Sequence, residues 1–150
     1  MICALLLGRG GSIDFPGKNV YPVLGRPLMA YPLIAASRAE FVDRLYVSTD
    51  SEEIRNIGRE FGAEHIARPD ELSTSVALGD DAYKHGYEVI RDLLMEEGEN
   101  IELMVLLFAN APTVSSELID TGIEVLRDNP KLDSAVTVSR YNMWSPLRAR

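Results

Sequence analysis

The sequence predicts a three-layer α/β/α, Rossmann-like domain with a mostly parallel sheet, and two observations carry that prediction. Short apolar runs rich in β-branched residues alternate with longer segments of helical period, the pattern of strand–helix–strand units. Two of those runs, Ile2-Cys3-Ala4-Leu5-Leu6-Leu7 and Leu103-Met104-Val105-Leu106-Leu107-Phe108, are apolar almost without interruption, which implies strands buried on both faces in the centre of such a sheet. The 150 residues fit one domain, and 46% hydrophobic against 25% charged residues is enough to build a core and too apolar for intrinsic disorder. The expectation is a single α/β domain over residues 1–150.

The elements follow in order. The first strand is 2–7, and it breaks into a glycine-rich loop, 8–19. A helix is expected near 27–38, opened by Pro27, whose fixed φ suits a first turn; Pro32 inside it is expected to cost a hydrogen bond and kink the helix. A second strand, 44–48, leads into a helix near 51–61, where Asp50 as N-cap with Glu53 three residues on resembles a capping box, and Gly62 ends the helix. The weakest strand candidate is 64–67. A long helix near 76–97 follows Ser73-Thr74-Ser75, then come the strand 103–108 and a helix near 115–128, begun at Ser115 and stopped before Asn129-Pro130. The last strand expected is 134–138, Ser-Ala-Val-Thr-Val.

Charge narrows the partners. The net charge is −8, which opposes coating of nucleic acid, so no nucleic-acid partner is expected. The distribution is uneven: residues 1–38 carry Arg9, Lys18, Arg26 and Arg38 against Asp14 alone, and 140–150 add Arg140, Arg148 and Arg150, leaving a strongly acidic middle. One cysteine, Cys3, excludes an internal disulfide and fits a reducing cytoplasm. His65, His85 and Cys3 match no zinc spacing, and no apolar stretch approaches a membrane span or signal peptide.

Right-handed crossovers bring the carboxyl ends of parallel strands to one side, where ligands of such sheets sit. That directs attention to loops 8–19, 49–50, 68–75 and 109–114. The first, from Gly8 to Asn19, holds four of the eleven glycines together with Arg9 and Lys18. Glycines let backbone N–H groups approach phosphate oxygens, and the two cations offset the charge an acidic protein would otherwise oppose to an anion. A dinucleotide fingerprint fails at Ile13, where glycine is required, and a Walker A loop fails at Ser12 and Asn19.

Arg9-Gly10-Gly11-Ser12, then Pro16-Gly17-Lys18-Asn19, then Leu24-Gly25-Arg26-Pro27-Leu28 resembles the opening signature of the acylneuraminate cytidylyltransferase family, which has a nucleotide-diphospho-sugar transferase-like fold. Ser48-Thr49-Asp50-Ser51-Glu52-Glu53-Ile54, Arg68-Pro69-Asp70-Glu71-Leu72 and Asp133-Ser134-Ala135-Val136 continue the resemblance in order along the chain. It implies transfer of CMP from CTP to a sialic-acid-like sugar acid with release of pyrophosphate, Mg2+ (or Mn2+) as cofactor, and a homodimer in the full-length protein. By that resemblance Lys18 and Arg9 are the catalytic cations. Gly8, Gly10, Gly11, Ser12, Asn19, Arg68 and Ser75 would hold the nucleotide, and Phe108 and Asn110 would face the sugar. Other sugar-phosphate nucleotidyl transfer, or a non-catalytic nucleotide- or sugar-binding module, are the alternatives.

Three departures from the family pattern stand out. Ile13-Asp14 replaces a common Lys-Gly, Phe108 stands where sialic acid enzymes have Gln, and Asn110 stands where related octulosonate enzymes have a metal-binding Asp. Family members also run on for roughly half a domain more, so the chain is expected to be an N-terminal portion, with metal ligands unknown.

Overall fold

The computed structural model describes residues 1–11, 15–74 and 76–138. In chain order these form strand β1 (Ile2–Leu7), a hairpin of β2 (Pro22–Val23) and β3 (Arg26–Pro27), helix α1 (Ala30–Arg38), β4 (Arg44–Thr49), α2 (Glu52–Glu60), β5 (Glu64–Ala67), α3 (Gly79–Glu96), β6 (Leu103–Phe108) and α4 (Ser116–Asp128). The four longer strands make one parallel sheet in the order β5-β4-β1-β6. The chain steps outward from β1 to β4 and β5, then returns to the other flank of β1 as β6. The order therefore reverses at β1, and the carboxyl ends there mark the crevice of a doubly wound sheet.

Both faces of the sheet are covered, which explains the unbroken apolarity of β1. Ile2, Ala4 and Leu6 point into one core with Met29 and Leu33 of the α1 region, Ile54 of α2, and Ile119 and Ile123 of α4. Cys3 and Leu5 point the other way, into a core with Tyr46, Ile66, and Ile90 and Leu94 of α3. Helix α3 lies close because Gly86 faces the sheet; a Cβ there would fall 2.5 Å from Leu5 Cδ2.

Several expectations change. β6 is not central: among the described residues it is the edge of the sheet, paired with β1 on one side only, with Leu106 37% and Phe108 54% exposed. An apolar run looks the same in sequence whether one or two neighbouring strands flank it. No strand forms at 134–138; those residues are irregular and exposed, since β-branched propensity makes a strand only where a neighbour supplies a ladder, and no described strand pairs with them. Residues 26–27 belong to β3, so α1 starts at Ala30 instead of Pro27. That shift moves Pro32 into the first turn, where a backbone N–H has no intrahelical acceptor, and no hydrogen bond is lost. The N-cap of α2 is Ser51, not Asp50: Ser51 Oγ accepts from Ile54 N at 3.4 Å. The weak strand candidate 64–67 does form, as do the Gly62 stop and the Ser115 cap.

The hairpin was not foreseen. Its turn is Leu24-Gly25, both with positive φ, 48° and 80°, as a type I′ turn requires. A leucine is strained there, and Leu24 is 93% exposed, so it gains nothing from packing. Leu24→Asn is expected to raise stability by about 0.5–1 kcal/mol, seen as a higher urea midpoint with an unchanged slope; a lower midpoint would contradict the strain.

Candidate nucleotide site

The loop after β1 is held in place by its neighbours. Gly8 continues the ladder by donating to Ser48 O at 3.1 Å, and a side chain there would crowd Ile54, 3.3 Å from where its Cβ would stand. Gly10 N donates to Asp50 Oδ1 at 3.0 Å. Farther on, residues 15–21 close on themselves: Lys18 N donates to Phe15 O, Val20 N to Gly17 O, and the Phe15 and Tyr21 rings meet edge to face at 5.1 Å. Gly17 adopts φ 71° at the start of that turn. Asn19 joins the two ends of the loop, its Nδ2 donating to Arg9 O at 3.2 Å and its carbonyl accepting from Met29 N at 2.9 Å.

Arg9 reaches across to the loop after β5, where its Nη1 donates to Thr74 O at 2.7 Å. Arg68 comes from the same loop and is a buried cation instead of a solvated one, 9% exposed. Its Nε donates to Ser48 Oγ at 3.2 Å and its Nη2 to Ser48 O at 2.7 Å. Burial pushes the Arg68 guanidinium below its ordinary pKa; Asp50 opposes that shift and Arg9 adds to it, so all three groups share one electrostatic environment.

The segment Ser48-Thr49-Asp50-Ser51 thus divides its work residue by residue. Ser48 holds Arg68, Thr49 Oγ1 accepts from Ser51 N at 3.0 Å, Asp50 holds Gly10, and Ser51 caps α2. The sequence reading gave Asp50 to the helix. The adjacent hydroxyl of Ser51 was the competing cap, and it frees the carboxylate for the loop.

Arg9, Lys18 and Asn19 line a cleft together with Ser51 and Glu53, and Arg68 lines a neighbouring one with Asp50, Arg55 and His65. Arg9, Lys18 and Arg68 take part in none of the ion pairs among the described residues, which are Arg44–Glu97, Arg55–Glu52, Arg91–Asp92 and Arg127–Glu102. Gly11 is exposed, and a Cβ there would meet nothing within 4 Å. Phe108 and Asn110 stand at the same end of the sheet but on the other flank of β1, both exposed. Ser12 and Ser75 lie outside the described residues, as does Asp14. No described group of three or more His, Cys, Asp or Glu side chains could hold a metal ion, and no described helix is long and apolar enough to cross a membrane.

A parallel sheet that carries glycines and cations, unpaired among the described residues, at the carboxyl end of its first strand makes a Rossmann-like domain, and solved structures share that fold. CMP:2-keto-3-deoxy-manno-octonic acid synthetase, solved in complex with CTP, superposes with a TM-score of 0.65 at 21% identity, covering 87% of this chain and 49% of that one. The chain belongs to the cytidylyltransferase family, whose model matches residues 3–145. N-acylneuraminate cytidylyltransferase of Escherichia coli O18:K1:H7 is 30% identical over 97% of this chain, and pseudaminic acid cytidylyltransferase of Campylobacter jejuni (strain 81-176) is 28% identical over 91%. The chain spans 33% and 58% of the length of those two proteins.

Proposed function

We propose that this chain is the CTP-binding portion of an enzyme that transfers CMP to a sialic-acid-like sugar acid. The observation that carries the reading is the convergence of Arg9, Lys18 and Arg68, unpaired among the described residues of an acidic protein, on one end of the sheet. In the reaction the anomeric hydroxyl oxygen of the sugar acid bonds to the α-phosphorus of CTP and gives up its proton to solvent, the bridge to the β-phosphorus breaks, and pyrophosphate leaves. Positioning and electrostatic stabilisation dominate such transfers, and a cation held in place before the reaction needs no reorganisation during it.

Arg9 and Lys18 are assigned to the phosphates. Arg9 is fixed through both its backbone and its guanidinium, and Lys18 stands on a closed turn facing the same cleft. Gly8, Gly10, Gly11 and Ser12 let the nucleotide approach the backbone, Asn19 keeps the loop closed, and Arg68 and Ser75 border the nucleotide from the loop after β5. Phe108 and Asn110 are assigned to the sugar, across β1. Mg2+ or Mn2+ belongs to the proposal as the counter-ion of the triphosphate. The described residues do not supply a carboxylate cluster for it, so no step is routed through it. A homodimer of the whole protein and a cytoplasmic location complete the proposal.

Thermal denaturation with CTP, UTP, GTP and ATP, each with Mg2+, tests the nucleotide. CTP at about 100 times its dissociation constant is expected to add about 2.7 kcal/mol, a rise of several degrees in the melting temperature. A shift with another triphosphate and none with CTP would overturn the assignment.

A further inference from the structure

Asp50 carries a role that the phosphate-loop residues alone do not explain. A carboxylate close to a triphosphate site is unfavourable for an anionic ligand, yet Asp50 shares its surroundings with Arg9 and Arg68. It is not the cap of α2, because Ser51 is. Its one described hydrogen bond is from Gly10 N, at 3.0 Å, forty residues away in the chain. Gly10 presses on the same junction: a Cβ there would lie 3.2 Å from Ser51 Cβ and 3.9 Å from Asp50 Oδ2. The loop after β1 therefore packs against the β4–α2 junction at the point where the carboxylate holds it.

The residue fixed by that hold is Arg9. Its carbonyl accepts from Asn19, its guanidinium donates to Thr74 O, and the peptide that follows it donates to Asp50. Remove the last of these and the Arg9–Gly10 peptide is held at its carbonyl by Asn19 alone, next to a glycine, the residue that restrains φ and ψ least. The guanidinium then loses one of the two holds on the backbone from which it is aimed.

We propose that Asp50 is a positioning residue for nucleotide binding, a latch on Gly10 N–H that aims Arg9 at the phosphates. The proposal rests on the reading of the cleft as a CTP site. Binding then needs the acceptor oxygen of residue 50 and does not need its charge. Its negative charge opposes the triphosphate, while its hydrogen bond serves the cation that binds it.

Two substitutions separate these effects in the 150-residue chain, with CTP binding read by calorimetry. Asp50→Asn keeps an acceptor oxygen and removes the charge; Asp50→Ala removes both. The expected result is that Asp50→Asn binds CTP at least as tightly as the wild type, and Asp50→Ala roughly five- to tenfold more weakly than Asp50→Asn. In an Arg9→Ala background the two variants are expected to bind alike, because the pair no longer has a guanidinium to aim. A purely structural role would leave the difference in place. Equal affinity of the two variants with Arg9 present, while the wild type binds CTP, overturns the proposal; absence of CTP binding by the wild type overturns the reading of the cleft instead. Amide exchange of Gly10 in the wild type without nucleotide needs no variant to fold. Protection of that amide supports the latch, and exchange at the rate of an unstructured glycine overturns it.

Discussion

In the full-length enzyme of the proposed reaction, Lys18→Ala is expected to lower turnover of CTP by about 10²–10³-fold, the size of effect produced when one fixed electrostatic donor is removed from a charge-stabilising site. The lysine has the position for that effect and little structural duty. It makes no ion pair among the described residues, it is only partly buried, and the turn that carries it is closed by backbone hydrogen bonds and the Phe15–Tyr21 contact. Its loss is therefore expected to leave the melting temperature within about 2 °C of the wild type, as for most partly exposed positions. Pyrophosphate release followed alongside thermal denaturation checks both halves. Near-normal turnover would remove Lys18 from the phosphates, and a large loss of stability would make it a fold residue.

Arg68→Ala is expected to act in the opposite proportion. The guanidinium is buried and donates to both the hydroxyl and the carbonyl of Ser48, so truncation takes the partner of Ser48 Oγ, leaves Ser48 O with Gly8 N alone, and opens a void at the end of β4. Hydrogen bonds to charged groups of this kind place the loss at about 2–4 kcal/mol, read from urea denaturation. Arg68→Lys keeps the charge but not the two-pronged donor geometry, and is expected to recover less than half of the loss. If the alanine variant is as stable as the wild type and fails only in binding CTP, Arg68 serves the ligand and not the scaffold.

These expectations show where the sequence was informative. β1, β4, β5 and two of the helix ends follow from apolar runs, Ser115 and Gly62, which are signals carried within a few residues of one another. The concentration of glycine and basic residues after β1 is also local, and it falls at the carboxyl end of the sheet. What escaped depended on partners distant in the chain. Asp50 and Ser51 are equally good caps on paper, and only the arrival of Gly10 from β1 decides between them. The apolar run of β6 says nothing about whether a strand lies on its far side. Strand 134–138 rested on propensity alone. The hairpin at 22–27 has strands two residues long, too short for any alternation, and a Leu-Gly turn in place of the Asn-Gly pair that announces type I′ geometry.

The division of labour in Ser48-Thr49-Asp50-Ser51 has a consequence for how this protein can vary. Ser48, Asp50 and Ser51 answer to three different parts of the molecule and Thr49 to the segment's own backbone, so each side chain can be substituted at its own separate cost. Length has no such freedom. Inserting or deleting one residue here would move every partner out of register at once, detaching the first loop, the buried arginine and the start of α2 in a single event. Neighbouring surface turns can absorb insertions at small entropic cost, but this one is fixed in length by geometry, and sequence drift through it is confined to replacement.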